Sequence, residues 1–132
     1  MPAFMIAIME KKLILLVDDN EFYHAAAEAI LKDAYDLIVC TSGMEAVEYL
    51  LDGGNRVPNL ILMDIVMPDM DGWLTYNRLR EIEAVKNIPF IIVSSVSGES
   101  AENHAQAVGV ADFITKPYNK TDLLEKISKN IR

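Results

Sequence analysis

The sequence predicts an α/β domain, a parallel sheet with helices on both faces. Three observations carry that reading. Five strand-like segments alternate with five helix-like ones, and such alternation yields parallel strands joined by right-handed crossover helices. The strand-like segments Leu13–Val17, Leu60–Met63 and Phe90–Val93 are continuous apolar runs, as expected for strands buried on both faces. The 132 residues, 52% of them hydrophobic, fit one domain with one core.

The elements follow in order. Leu13–Val17 is the first strand. Asn20 is placed to cap a helix to about Lys32, with Phe22, Ala25, Ala26, Ala29 and Ile30 at helical spacing. Leu37–Cys40 is the second strand. Ser42-Gly-Met-Glu45 has the capping-box form and opens a helix with Ala46, Val47, Leu50 and Leu51 on its apolar side. Asp52-Gly-Gly-Asn55 stops that helix, and Pro58 precedes the third strand, Leu60–Met63. Asp69 or Asp71 caps a helix from about Trp73 to Ile82. Asn87-Ile-Pro89 leads into the fourth strand, Phe90–Val93. A helix from about Ser100 to Val108 is ended by Gly109. Asp112–Thr115 is a short fifth strand. Asn119-Lys-Thr-Asp122 caps a last helix with Leu123, Leu124, Ile127 and Ile131 on one face.

Charge narrows the function classes. The formal net charge is −8, so phosphate backbones and anionic membranes repel this domain. The single cysteine, Cys40, excludes an internal disulfide and fits a reducing, cytoplasmic compartment. At the end of an apolar run it reads as a buried thiol. The first nine residues are apolar, too short to span a bilayer, and lack the features of a secretory signal. Two readings fit them: an extension packed on the domain, or a segment preceding a natural start at Met9. If exposed, they form a patch that favours self-association.

The chemistry sits where the strands stop. In a parallel sheet Asp18, Asp19, Asp64, Ser94 and Lys116 all fall at one edge, where ligands bind in folds of this kind. Three carboxylates repel one another unless a divalent cation joins them. Oxygen donors from a few carboxylates suit Mg²⁺. One carboxylate can then act as a nucleophile toward a phosphoryl group whose charge the metal offsets. Lys116 supplies a point positive charge for a phosphoryl oxygen and Ser94 a hydroxyl. Pro117 forces a turn after Lys116, where a cis bond is an option. Each residue alone has an ordinary reading as a turn, a cap or solvated surface. The shared edge is what points to metal-assisted phosphoryl chemistry.

From Lys12 to Arg132 the chain resembles the receiver domain of bacterial two-component response regulators, the CheY-like family. The matching pieces are Val17-Asp-Asp19, Met63-Asp64-Ile-Val-Met-Pro68-Asp-Met-Asp-Gly72, Ile92-Val-Ser94-Ser95 and Phe113-Ile-Thr-Lys116-Pro117, and the spacing of Asp64, Ser94 and Lys116 agrees as well. The resemblance implies a flavodoxin-like (βα)5 fold with strand order 2-1-3-4-5. It divides the chain into an N-terminal extension, residues 1–11, and a receiver domain, residues 12–132. It implies that Asp64 is the phosphoacceptor and that Asp18, Asp19 and Asp64, with the Val66 backbone carbonyl, hold Mg²⁺ or Mn²⁺. Lys116 is expected to pair with the phosphoryl group, Ser94 to be the switch hydroxyl, and Phe113 the aromatic switch. The implied donor is a sensor histidine kinase, a phosphotransfer protein or a small phosphodonor such as acetyl phosphate. The implied output is a protein bound by the fourth helix, fifth strand and fifth helix, with no turnover chemistry, no direct nucleic-acid contact, no membrane contact, and homodimerisation left open.

Two details depart from common members. Phe113 lacks the hydroxyl of the frequent tyrosine, so its ring can bury without a hydrogen-bond partner. Val66 and Val96, two residues past Asp64 and Ser94, are both apolar and are expected to hinder the hydrolytic water. His24 and His104 read as surface residues. Trp73 and Tyr76, three apart on a helix, read as core. Met63, Met67 and Met70 read as packing around the pocket. Two further readings of the whole remain: a receiver cut from a longer regulator with DNA-binding, enzymatic or kinase output, and a small phosphatase with an aspartate nucleophile. The second lacks the acid two residues after its nucleophile, since Ile65-Val66 follows Asp64. A flavodoxin-like cofactor site would need a neutral phosphate loop where Asp18-Asp19-Asn20 stands.

Overall fold

The computed structural model describes residues 11–67, 70–95 and 99–132. The expectations for the first nine residues, for Asp69 as a cap and for Val96 lie outside them. Continuous apolar runs form the strands β1 (Leu13–Val17), β2 (Asp36–Cys40), β3 (Leu60–Asp64), β4 (Phe90–Ser94) and β5 (Asp112–Thr115). Between and after them run α1 (Glu21–Leu31), α2 (Gly43–Leu51), α3 (Gly72–Arg80), α4 (Glu99–Val108) and α5 (Lys120–Asn130). The five strands form one parallel sheet in the order β2-β1-β3-β4-β5, as the sequence led us to expect. Among the described residues no helix is long and apolar enough to cross a membrane.

Side-chain alternation along the strands splits the core in two. Leu15, Val17, Ile61, Met63, Ile92 and Phe113 pack with Ala46 and Leu50 of α2, Tyr76 and Leu79 of α3 and Ala105 of α4. Ile14, Leu16, Leu62, Ile91, Val93 and Ile114 pack with Ala27 and Leu31 of α1 and Leu123 and Ile127 of α5. Burial on both faces explains why β1, β3 and β4 carry no polar residue before their last position.

The caps hold three helix starts. Asn20 Oδ1 accepts from the N–H of Phe22 at 2.8 Å and of Tyr23 at 3.3 Å. Ser42 Oγ accepts from Glu45 N–H at 3.1 Å, and Asn119 Oδ1 from Asp122 N–H at 2.8 Å. The capping box at Ser42 is only half made. The Glu45 carboxylate instead accepts from the Thr41 hydroxyl at 2.7 Å. Gly109 ends α4 with φ +84°, a backbone conformation that favours glycine.

Three expectations are corrected. The buried face of α1 is Ala27 and Leu31, with Phe22 71% exposed, because the sheet meets the helix one position along from the stripe read in the sequence. On α2, Leu51 is 65% exposed while Ala46 and Leu50 are buried. α3 stops at Arg80, and Glu83–Val85 forms a separate 3-10 turn. Between β3 and α3 a two-residue hairpin pairs Val66 with Asp71 and Met67 with Met70, and Asp71 stands directly before the first residue of α3.

Candidate functional site

Every strand of a parallel sheet points its carboxyl end the same way, so the last residues of β1, β3, β4 and β5 meet at one edge. β1 runs into Asp18, whose N–H donates to Cys40 carbonyl at 3.0 Å. β3 closes with Asp64, β4 with Ser94, and Lys116 follows β5, its N–H donating to Ser94 carbonyl at 2.8 Å. Ser94 is fully buried, paired in register with Thr115. The Lys116–Pro117 peptide is cis.

Side chains complete the arrangement. Lys116 Nζ lies 2.8 Å from Asp18 Oδ2 and 2.8 Å from Asp64 Oδ2, and all three side chains are nearly closed to water. Val66 N–H donates to Asp64 Oδ1 at 2.8 Å. Both oxygens of the Asp64 carboxylate are therefore held before any ligand arrives. Asp18 Oδ1 accepts from Asn20 N–H at 2.9 Å, fixing the turn into α1. Oxygens of Asp18, Asp19 and Asp64 lie within 4.8 Å of one another, with Asp19 exposed at the rim. A set of hard carboxylate oxygens, one facing solvent, fits a divalent cation that keeps several waters.

The electrostatics follow from burial. Desolvation raises the Asp64 carboxyl above its ordinary value, opposed by the Lys116 and Val66 hydrogen bonds and reinforced by the nearby Asp18 charge. Desolvation works against the Lys116 ammonium, yet its bonds to Asp18 and Asp64 outweigh that and hold its pKa above the ordinary lysine value. The site is poised to gain positive charge. One ammonium faces three acids.

Asp19, Asn20, Tyr23, Asp64, Val66, Ser95, Lys116 and Pro117 line an open cleft of about 400 Å³. It has room for a hydrated cation and a phosphoryl group. Ser95, rather than the buried Ser94, reaches the cleft lining. Val66 is 49% exposed beside Asp64. Phe113 is buried in the core layer beneath α3 and α4, and its carbonyl accepts from Lys126 Nζ at 2.6 Å.

Sequence reasoning missed two neighbours of the site. The Tyr23 ring lies over Lys116, with Nζ 4.1 Å from the ring centroid. His24, read as ordinary surface, is half-buried and its Nε2 bonds the Asp18 carbonyl. Both stand on the first turn of α1, where the Asn20 cap fixes which side chains turn back over β1. His104 is exposed, but its ring packs edge-on against Trp73 at 4.5 Å. Tyr76 is core as expected, at 1% exposure. Cys40 is buried, and desolvation pushes its thiol up to about 12, which leaves it inert.

Comparison with known proteins agrees with this geometry. Residues 14–128 match the family model for the response regulator receiver domain. The chain is 34% identical over 118 residues to the chemotaxis protein CheY of Halobacterium salinarum, covering 89% of this chain and 94% of that protein. It is 31% identical over 121 residues to the sensor histidine kinase CheAY of Helicobacter pylori, covering 91% of this chain but only 15% of that longer protein. Among solved structures it superposes, with TM-score 0.79 and 24% identity, on the receiver domain of the sensor histidine kinase PA1611 of Pseudomonas aeruginosa, which was determined with magnesium in its active-site cleft. That superposition covers 91% of this chain and 97% of the other and shows the shared fold.

Proposed function

Because the chain belongs to the response regulator receiver domain family of two-component systems, we propose that Asp64 is its phosphoacceptor. The observation that carries this is the Lys116 ammonium bridging Asp18 and Asp64, beside an acidic trio open to the cleft. Asp18, Asp19 and Asp64, with the Val66 carbonyl, would hold Mg²⁺, or Mn²⁺ in its place. The cation supplies charge neutralisation for the transferring phosphoryl group. The magnesium in the PA1611 receiver domain supports that assignment.

The residues then divide the work. Val66 N–H and Lys116 fix the Asp64 carboxylate, so its attack geometry is set in advance. The Asp64 oxygen forms a bond to phosphorus as the bond from phosphorus to the donor breaks. The donor is a phosphohistidine of a sensor kinase or phosphotransfer protein, or a small acyl phosphate. Lys116 passes from a carboxylate to a phosphoryl oxygen, a charge-assisted bond. Ser94, at the end of β4, moves toward the new charge, and Phe113, buried on the neighbouring strand β5 opposite Ile92, repacks. The face of α4, β5 and α5 reads out that change to a protein partner. A recess of about 200 Å³ between Gln106, Phe113 and Lys126 lies on it. No acid follows Asp64 at the second position, so the group is stored and lost slowly, without turnover. The chain works in the cytoplasm, where such kinases present their phosphohistidine.

The match spans nearly all of CheY, in which this domain makes up almost the whole protein. The match to a small part of CheAY supports the second reading, a receiver within a longer regulator. Incubation with acetyl phosphate and Mg²⁺, followed by intact mass spectrometry, tests the proposal. One phosphoryl group should be gained, and chelation of the metal should abolish the gain. No gain with acetyl phosphate or a phosphorylated kinase, together with no Mg²⁺ binding, would refute it.

A further inference from the structure

Lys116 Nζ has three N–H bonds to place. Two point at Asp18 Oδ2 and Asp64 Oδ2, each 2.8 Å away. Its remaining side meets the ring of Tyr23, whose centroid is 4.1 Å from the nitrogen. That distance is well inside the range where a ring face attracts a cation, and the desolvated setting strengthens the attraction. The ring does not sit there by chance rotation. Tyr23 N–H is tied to the Asn20 carbonyl at 3.1 Å. The ring itself is braced edge-on by Phe22 at 5.2 Å and tilted against Tyr118 at 5.4 Å. Tyr118 is held as a neutral phenol by burial, then by the charge of Asp18.

We propose that Tyr23 is a positioning residue for phosphoryl transfer, its ring face holding the Lys116 ammonium over the acid pair while leaving its N–H bonds free to change partner. This rests on the reading of Asp64 as phosphoacceptor. The physical reason lies in the kind of contact. During transfer, Lys116 must exchange a carboxylate oxygen for a phosphoryl oxygen. A carboxylate or carbonyl on its third side would compete for that bond. A ring face attracts the charge without fixing any one N–H direction, and it keeps water from taking the third position. Tyr23 also lines the cleft beside Asp64 and Val66, so it stands where the incoming group must pass.

The test compares Tyr23→Phe, which keeps the ring, with Tyr23→Leu, which keeps apolar bulk without a π face. Tyr23→Met is a second non-aromatic variant should leucine unfold the domain. Two readouts are taken on the full chain. In the unphosphorylated protein, NMR should show the Lys116 side-chain protons shifted upfield by the ring current in the wild type and Tyr23→Phe, and not in Tyr23→Leu. With acetyl phosphate and Mg²⁺, uptake should be unchanged within about twofold in Tyr23→Phe and about tenfold slower in Tyr23→Leu, a cation–π contribution of ordinary size. Mg²⁺ affinity should stay within about twofold throughout. Uptake by Tyr23→Leu at the wild-type rate, or equal slowing in Phe and Leu, would overturn the inference. A wild-type protein that shows the ring-current shift but takes up no phosphate from acetyl phosphate or a phosphorylated kinase, and binds no Mg²⁺, would instead defeat the Asp64 reading and leave the contact standing.

Discussion

Asp64 carries opposing demands. As the proposed phosphoacceptor it must be ionised to attack phosphorus, yet it is buried beside another acid. Desolvation raises its pKa above 3.8, so over the interval between 3.8 and that raised value the folded protein holds a proton the unfolded chain has released. Stability therefore falls as pH rises through that interval, and the cost is complete once pH has passed the raised value. Asp64→Asn removes the cost, and its amide oxygen can still accept from Lys116. We expect its melting temperature at pH 7 to lie about 3 °C above that of the wild type, about 1 kcal/mol for a domain of this size, with the difference shrinking below pH 4. Lys116 has the opposite sign. Its raised pKa means its contribution is complete below 10.5 and is lost only at more alkaline pH.

Val66 makes a second prediction at this scale. Its side chain is half exposed at the cleft rim, and its N–H grips Asp64. Val66→Asn would place a hydrogen-bonding group where hydrolytic water approaches, so phosphate loss should be about tenfold faster, of the order a positioned polar group contributes. Decay followed by radiolabel or mass spectrometry checks it, and an unchanged rate counts against a shielding role. The acids and Lys116 were legible in the sequence because each stops an apolar run. Tyr23 and His24 were not. An aromatic residue in a first helical turn is common, and only the Asn20 cap geometry turns these two back onto the site.

At the scale of elements, the sequence was most informative where both faces of a strand are buried. All five strands lie within a residue of where the apolar runs put them. Helix faces were less legible. On α1, Phe22 and several alanines formed a plausible stripe, yet burial falls on Ala27 and Leu31, because alanine-rich helices offer several faces of similar hydrophobicity. The two-residue hairpin after β3 was invisible because two residues carry no period. Its position does explain the glycine at 72. A Cβ there would lie 2.2 Å from Ile65 Cα and 2.4 Å from Ile65 carbonyl oxygen, a clash with backbone that no rotamer relieves. Gly72→Ala should destabilise the domain by about 2–3 kcal/mol, measured by urea unfolding. Gly109→Ala should cost about 1–2 kcal/mol from its positive φ alone.

At the scale of the whole molecule, the net charge is −8, and three acids around a single ammonium leave one sheet edge negative. Binding a divalent cation there should stabilise the fold as a whole. At a hundredfold excess over the dissociation constant the gain is about 2.7 kcal/mol. Asp19→Asn should lose most of that gain while leaving the metal-free melting temperature nearly unchanged, since Asp19 is exposed and its side chain bonds nothing buried among the described residues. Thermal scans with and without Mg²⁺ check both. The fold class and site edge followed from alternation and strand ends, and the sheet order from the resemblance to receiver domains. What the sequence left unread was the close geometry around Lys116, which depends on how α1 and the turn after β5 lean toward each other.

Every role proposed for the cleft requires the phosphoryl group to reside on Asp64. Borohydride reduction of the phosphorylated protein converts an aspartyl phosphate to homoserine, and peptide mapping then locates it. Homoserine should appear at position 64, dependent on Mg²⁺ and on prior exposure to the phosphodonor. Homoserine at Asp18, Asp19 or elsewhere, or phosphate stable to reduction on a serine, would contradict it.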